Sequence, residues 1–362
     1  VGKEEVYLSV PPRAVMDSSK ARADEDLGSL LGVLSKELAG RGWDDDFDSL
    51  LMLLLVERYV KGQESFWWPY LRLLPSVEEL GGPLVFSGRE LELLEGSDIM
   101  LGAREYRTAV LRAFDTKFRG NAAIEEVYGP GLVVLDRFIW ANAILDSRSI
   151  WWGGRRHLVP MLDLVNCAQA PAGARIHSTH EDGQANAVTK AAWAFEKGEQ
   201  VLEDYGQANH VYFLYHGFTL SPNRHDCVRV DGGAPKAASK DVRTAMQQLF
   251  PPRGKPSFCV SRERVTAEFM AYVRLLSGLP FPGKVPSGGG GGNSPRPLPW
   301  GGLLDAPGLE ALERWAEARL GAYPPLSLGP EPTSREEAMV AFLSSEKDLL
   351  RQLRDFVRPR AR

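Results

Sequence analysis

The residues of this chain whose types could do chemistry cluster between positions 148 and 218. Leu158-Val159-Pro160-Met161-Leu162-Asp163-Leu164-Val165-Asn166-Cys167 runs from apolar residues into an acid, an amide and a thiol. Some thirty residues later comes Gly198-Glu199-Gln200-Val201-Leu202-Glu203-Asp204-Tyr205-Gly206, followed by Asn209, Phe213, His216, Gly217 and Phe218. An amide both donates and accepts hydrogen bonds, and an arginine such as Arg148 presents a planar fork suited to a carboxylate. Each element also has an ordinary structural reading: a core strand ending in an Asx-turn, a turn into a strand, a strand-end tyrosine, a solvated charge at a helix end. Other motifs fail on their chemistry. Gly278 to Val285 imitates GxxxxGK, but Val stands where a Ser or Thr must reach magnesium, and two prolines remove backbone donors. His177 and His180 have no third ligand at a recognisable spacing, so they read as chance histidines on a loop or strand edge. HExxH, GxSxG and GxGxxG do not occur, which removes the usual warrant for metalloprotease, α/β-hydrolase and Rossmann readings.

These residues must be held by elements that the sequence pattern predicts. Val6, Leu8 and Val10 alternate with Tyr7 and Ser9, and Pro11-Pro12 ends the run as a strand. From about 24 to 140 the spacing turns helical: Leu27, Leu30, Leu31 and Leu34 recur at three and four with Asp26 at the N-cap, and a stronger helix runs from Asp48 to Gly62. Further helices are expected near 88–94, 106–118 and 137–147. Short strands return at Leu158–Leu162, Ala185–Trp193 and Gln200–Tyr205, the last two read as a β-hairpin across Glu196–Glu199. Beyond Asp226 come four helical stretches, near 239–250, 262–277, 307–320 and 334–356. They are interrupted at 278–302 by a Gly/Pro-rich segment that reads as a mobile loop. Strand, helical insertion, strands and helical appendage together suggest an α+β class, since regular βαβ alternation is lacking.

Composition narrows the function. The 362 residues carry 43 Lys plus Arg against 47 Asp plus Glu, so no global charge favours nucleic acid or an anionic membrane. A chain this long, 44% hydrophobic, suits two domains with a sizeable core. Cys167, Cys227 and Cys259 are far apart without CxxC spacing, which argues against a disulfide framework or a cysteine zinc cluster and for a reducing compartment. The longest apolar run, Leu50–Val56, is too short to span a bilayer.

Taken jointly and in order, these segments resemble the SET-domain methyltransferases, in the branch of the Rubisco large-subunit methyltransferase and the actin-histidine methyltransferase. The resemblance covers nearly the whole chain. Glu5 to Pro11 looks like the family's strand after its first glycine-rich loop, and Gln63-Glu64-Ser65-Phe66-Trp67-Trp68-Pro69-Tyr70-Leu71 with Leu74-Pro75 looks like its "SFW.PYL..LP" stretch. Phe138–Arg148 resembles the helix ending in Ser-Arg, Val159–Cys167 the "P..D..NH" segment, and Gly198–Phe218 the "GEQ..I.YG..SN.....GF" segment. The resemblance implies a SET-type β-sheet core at 1–225 with a helical insertion at about 24–140, then an all-α substrate-binding domain at 226–362.

It further implies S-adenosylmethionine as cofactor and methyl transfer to a lysine side chain of a protein. The alternatives are a protein-histidine methyltransferase and a catalytically weak SET-like binding module. Tyr205 would position the reacting nitrogen and sulfonium, Arg148 would pair with the cofactor carboxylate, and Asn166 would bind its amino acid moiety. Asp163, Leu164, Val165, Asn166 and Cys167 would line the cofactor pocket together with Tyr205 and His216, and Ser19, Lys20 and Ala21 would approach it. Trp67-Trp68 and Trp151-Trp152 could line a substrate groove, though Trp67 reads more readily as core. Two departures stand out: Cys167 replaces the usual His after Asn, and His216 replaces a second Tyr. The family order also places a glycine-rich cofactor loop before Glu5, so a longer natural chain is expected. The expected partner is a protein substrate, with no nucleic acid or membrane. The expected state is a monomer, in the cytoplasm or a plastid, with the nucleus also open.

Overall fold

Strand β1 (Val6–Val10) forms where the alternation places it and pairs antiparallel with β7 (Ala187–Lys190), whose other edge is taken by β6 (Thr179–Glu181). A second sheet has the order β2 (Met16–Asp17), β4 (Arg155–Leu158), β3 (Ile150–Trp152). A parallel pair, β5 (Asn166–Cys167) with β8 (Leu202–Glu203), joins the two chemistry-bearing segments directly. The computed structural model describes residues 1–177, 179–233, 239–240, 242–244, 257–279, 305–325 and 330–361. The expected loop at 278–302, beyond its first two residues, and most of the expected helix at 239–250 lie outside the described residues.

The chain divides into two units. The first comprises Val1–Phe86, Ala103–Gln207 and Val211–Arg224; the second comprises Ser87–Gly102, Ala208–His210 and His225–Arg362. In the first unit, helix α1 (Ser18–Ala23) is followed by α2 (Glu25–Glu37), which buries Leu27, Leu30, Leu31 and Leu34. Its cap is Asp24, which accepts from the Leu27 amide at 3.0 Å; Asp26, the expected cap, lies in the first turn. Helix α3 (Phe47–Val56) is buried from Asp48 to Val56, and a helix apolar on all sides belongs at the centre of its layer. The buried charge on Asp48 is met by Lys117 Nζ at 2.6 Å. Short α4 (Trp68–Leu71) carries buried Tyr70, and the single turn α5 (Gly88–Glu92) belongs to the second unit. Helices α6 (Ile99–Ala113), α7 (Ala122–Tyr128) and α8 (Leu135–Arg148) follow, and α8 buries Phe138, Trp140, Ile144 and Leu145. Its last residue is cationic, as suits the negative end of a helix dipole.

Two strand expectations are corrected. The Glu196–Glu199 turn forms, with the Glu199 amide donating to the Glu196 carbonyl at 3.1 Å and Gly198 at φ +92°. The hairpin across it does not form, because both edges of β7 are occupied and β8 runs beside β5 instead. A turn sets local direction, whereas burial and competing edges select the partner. Of the strand expected at Leu158–Leu162 only Leu158 is in β4; Met161 at φ +73° turns the chain and Leu162–Leu164 form a 3₁₀ turn.

The second unit is helical, as expected, with α10 (Ala267–Leu276), α11 (Ala306–Ala322) and α12 (Ser334–Ala361) after the one-turn α9 (Asn209–Val211), which begins in it. Leu309, Leu312 and Ala316 of α11 are buried, as are Met339, Phe342, Leu350 and Leu353 of α12. The unit adds an antiparallel ribbon, β9 (Val228–Asp231) with β10 (Ser257–Val260). Contrary to the cysteine reading, Cys227 and Cys259 form a disulfide; the ribbon's register brings together residues that are 32 apart in sequence. Among the described residues no helix is long and apolar enough to cross a membrane.

Candidate active site

The C-terminal end of α8, the 3₁₀ turn after β4 and the end of β8 converge on a cavity of about 350 Å³ in the first unit. Arg148, Asp163, Tyr205 and His216 line it, so four residues from three distant segments meet there. Arg148 Nη1 donates to the Asp163 carbonyl at 2.9 Å and stands 3.5 Å from its Oδ2. The Asp163 side chain is fully buried, accepts from the Tyr70 hydroxyl at 2.7 Å, and has no hydrogen bond to its Oδ1. Burial outweighs Tyr70 and Arg148 and pushes this carboxyl up to about 6. Burial first, then the Asp163 charge, raise the Tyr70 phenol well above its ordinary range.

The Tyr205 hydroxyl donates to the Val165 carbonyl, which ties the end of β8 to the start of β5. Burial raises its phenol above the ordinary tyrosine range, so it is a neutral hydroxyl at physiological pH. Gly206 follows at φ +72°, with Ile176 so close that a β-carbon there would meet it at 2.9 Å. His216 is pushed down to about 4, chiefly by burial, and is therefore a neutral imidazole. Its position is fixed by Gly217, at φ +78°, where a β-carbon would lie 2.4 Å from the Gly81 backbone.

The remaining expected site residues stand apart from this cavity wall. Asn166 is exposed, Leu164 is half-buried, and Val165 contributes its carbonyl. Cys167 is half-buried with its Sγ 3.6 Å from the Tyr212 hydroxyl, and burial pushes the thiol up. Ser19 donates to its helix-cap Asp17 at 2.5 Å, the Lys20 amide donates to the same oxygen, and Ala21 is fully buried in the core. Trp151 lines the cavity and is 57% exposed, whereas Trp67 is half-buried and donates to the Ala14 carbonyl.

Sequence reading missed a second polar group on the same wall. His177, Thr179 and Glu203 all line the cavity. His177 Nδ1 lies 2.5 Å from Glu203 Oε2, off the direction of a regular hydrogen bond, so ring and carboxylate meet as dipole and charge. The other Glu203 oxygen accepts from Tyr7. Nothing in the spacing of these residues announces the group, which exists only because β1, β6 and β8 are brought together.

No family model matches the chain. Among curated proteins it is similar to the chloroplastic Rubisco large-subunit N-methyltransferase of Pisum sativum, 27% identical over 240 residues, 62% of this chain and 45% of that protein. It is also similar to the chloroplastic [fructose-bisphosphate aldolase]-lysine N-methyltransferase of Arabidopsis thaliana, 29% identical over 172 residues, 46% of this chain and 32% of that protein. The Arabidopsis thaliana Protein SET DOMAIN GROUP 40 is 28% identical over 254 residues, 62% of this chain and 50% of that protein. The chain thus spans half or less of the length of these relatives. A structure of Rubisco LSMT bound to AdoMet superposes with TM-score 0.68 at 20% identity, over 100% of this chain and 83% of that one. The SET domain of LSMT bound to lysine and AdoHcy gives 0.69 at 20% identity, over 99% and 83%. The fold and the order of its segments are those of the SET-domain class. Within that class the likeness is to the Rubisco large-subunit methyltransferase branch, the resemblance on which the sequence reading rested.

Proposed function

We propose that this chain transfers a methyl group from S-adenosylmethionine to a lysine side chain of a protein. The observation that carries the reading is the meeting of Arg148, Asp163, Tyr205 and His216 around one cavity, in a chain similar to lysine methyltransferases. The residues present suit the cofactor: a guanidinium on the wall can pair with its carboxylate, and the buried Asp163 beside it holds that guanidinium. Bound there, S-adenosylmethionine would supply an electrophilic methyl group.

The chain's own residues do the rest. Asp163, anchored by Tyr70, holds the Arg148 fork in place. Tyr205, a neutral hydroxyl tied to the Val165 carbonyl, orients the incoming nitrogen by its oxygen dipole without removing a proton. Half-buried His216 and buried Leu162 limit the access of water, which strengthens each of these dipoles and favours an in-line approach. The second unit is read as the part that docks the protein substrate, exposed Asn166 with Leu164, Val165 and Cys167 beside it as an extension of the cofactor pocket, and the chain as acting alone. Its chloroplastic relatives support a plastid among the compartments expected.

Incubation with labelled S-adenosylmethionine and a plastid or cytosolic extract, followed by mass spectrometry, should find methyl-lysine. Tyr205→Phe should lower transfer at least about a hundredfold, as loss of a preorganised transition-state dipole does, while cofactor affinity changes little. Undiminished turnover of that variant would refute the role given to Tyr205.

A further inference from the structure

We propose that Thr179, His177 and Glu203 form a proton-accepting relay on the cavity wall, which takes the proton from a cationic acceptor amine before methyl transfer. The inference rests on the methyl-transfer reading and adds what that reading lacks. A lysine side chain arrives as an ammonium, and only its neutral form has an electron pair to attack carbon.

The other polar groups in the cavity are poorly placed to accept that proton. Tyr205 is a neutral phenol, His216 is pushed down to about 4, and Asp163 is committed to Tyr70 and Arg148. The second cluster puts a hydroxyl within hydrogen-bond reach of one ring nitrogen and a carboxylate charge beside the other, the latter without hydrogen-bond geometry. Thr179 Oγ1 lies 3.0 Å from His177 Nε2, and His177 Nδ1 lies 2.5 Å from Glu203 Oε2. Thr189 Oγ1, buried on β7, is 3.2 Å from Thr179 Oγ1 and can donate to it, leaving the Thr179 proton directed at Nε2. Tyr7 donates to Glu203 from β1 and fixes the carboxylate. Both Thr179 and Glu203 face the cavity, and the His177 side chain is 18% exposed, so the proton has an exit.

Charges around His177 favour this use. Glu203 is its nearest ionisable neighbour, and Tyr7 is held neutral by burial. Arg175, two residues earlier, is engaged by Glu4 and the Lys190 carbonyl. On β6, Glu181 accepts from Trp152 and His180 is exposed. Across the cavity the Arg148 charge is matched by Asp163. In the step itself the ammonium N–H bond breaks and its proton joins Thr179 Oγ. The Thr179 proton passes to His177 Nε2, and the electron pair stays on the amine nitrogen. The imidazolium is held against the Glu203 carboxylate until it loses the proton to water.

The test uses free L-lysine and S-(2-aminoethyl)-L-cysteine, a less basic amine, as acceptor probes with labelled S-adenosylmethionine. For wild type the lysine rate should rise with pH to a midpoint below the titration of the free ammonium. In His177→Gln and Thr179→Val its midpoint should move up by about one pH unit or more, toward the titration of the free ammonium. The less basic amine should regain rate in both variants. A uniform fall in rate with an unmoved midpoint, or a midpoint that moves only in Asp163→Asn, overturns the relay. Nitrogen-15 NMR of the histidines decides independently of turnover. The relay requires His177 to carry its proton on Nδ1; an Nε2–H tautomer overturns it. If wild type neither binds S-adenosylhomocysteine by calorimetry nor transfers label, the methyl-transfer reading fails on its own, and the NMR result still decides whether the relay exists.

Discussion

Asp163→Asn should weaken function and strengthen the fold together. The Asp163 carboxylate is fully buried, and its folded value of about 6 already includes the help of Tyr70 and Arg148. Compared with an ordinary 3.8, that value means ionisation costs the folded state about 3 kcal/mol once the pH is above both values. The sign follows from the raised value. Between pH 3.8 and 6 the unfolded chain has lost the proton and the folded chain has kept it, so stability falls as pH rises and levels off above 6. An amide of the same shape keeps the Tyr70 hydrogen bond and never ionises. The variant should therefore gain about 3 kcal/mol at pH 8, roughly half that at pH 5, and little at pH 4. For a unit of this size the gain at pH 8 corresponds to a rise of roughly 6–12 °C in thermal midpoint. With the charge partner of Arg148 gone, S-adenosylhomocysteine should bind about ten- to a hundredfold more weakly, the value of a charged hydrogen bond. Scanning calorimetry at the three pH values and titration calorimetry at pH 8 read the two effects. A variant less stable than wild type at pH 8 would refute the reasoning, because the Arg148 contact would then outweigh the cost of burying the charge.

Two further outcomes concern the second unit. Cys259→Ala should destabilise it by about 4 kcal/mol by the chain-entropy estimate for a loop of this length, and excess reductant should lower the wild-type thermal midpoint similarly; insensitivity to reductant would argue against the bond's contribution. Glu346, fully buried with its Oε2 accepting from Tyr323 at 3.0 Å, is pushed up to about 7 by burial. Stability should therefore decline from about pH 4.5 to 7 and then level off, and Glu346→Gln should remove that decline in a pH series of urea denaturation.

Much of the site could be read from the sequence because its residues lie in short ordered segments: Arg148 ends a helix of clear periodicity, Asp163 interrupts the apolar run Leu158–Val165, and Tyr205 ends the stretch that begins at Gly198. What escaped is contact between segments. Tyr70 lies within the recognised Ser65–Leu71 stretch, yet only packing of α4 shows that its hydroxyl supports Asp163. His177 looked like a chance histidine because Glu203 is 26 residues away and meets it only after β8 aligns with β5. The hairpin failed for the same reason: Glu196–Glu199 encodes a turn, and the partner of β7 is chosen by a strand nearly the whole unit away. The disulfide had no local signal either, since it depends on the register of β9 and β10.

The pairing of β1 with β7 also sets an order of assembly. Val10 meets Ala187, so β1 emerges about 177 residues before its partner exists. At a synthesis rate of about 5–20 residues per second it waits roughly ten to thirty-five seconds with an unpaired edge. The helices of the first unit up to α8 rest on nearer contacts and are complete by Arg148, so they can form during that wait. Tyr7, which reaches Glu203, rides on the strand that arrives first. The cavity wall it supports is therefore closed only when the nascent chain has passed β8.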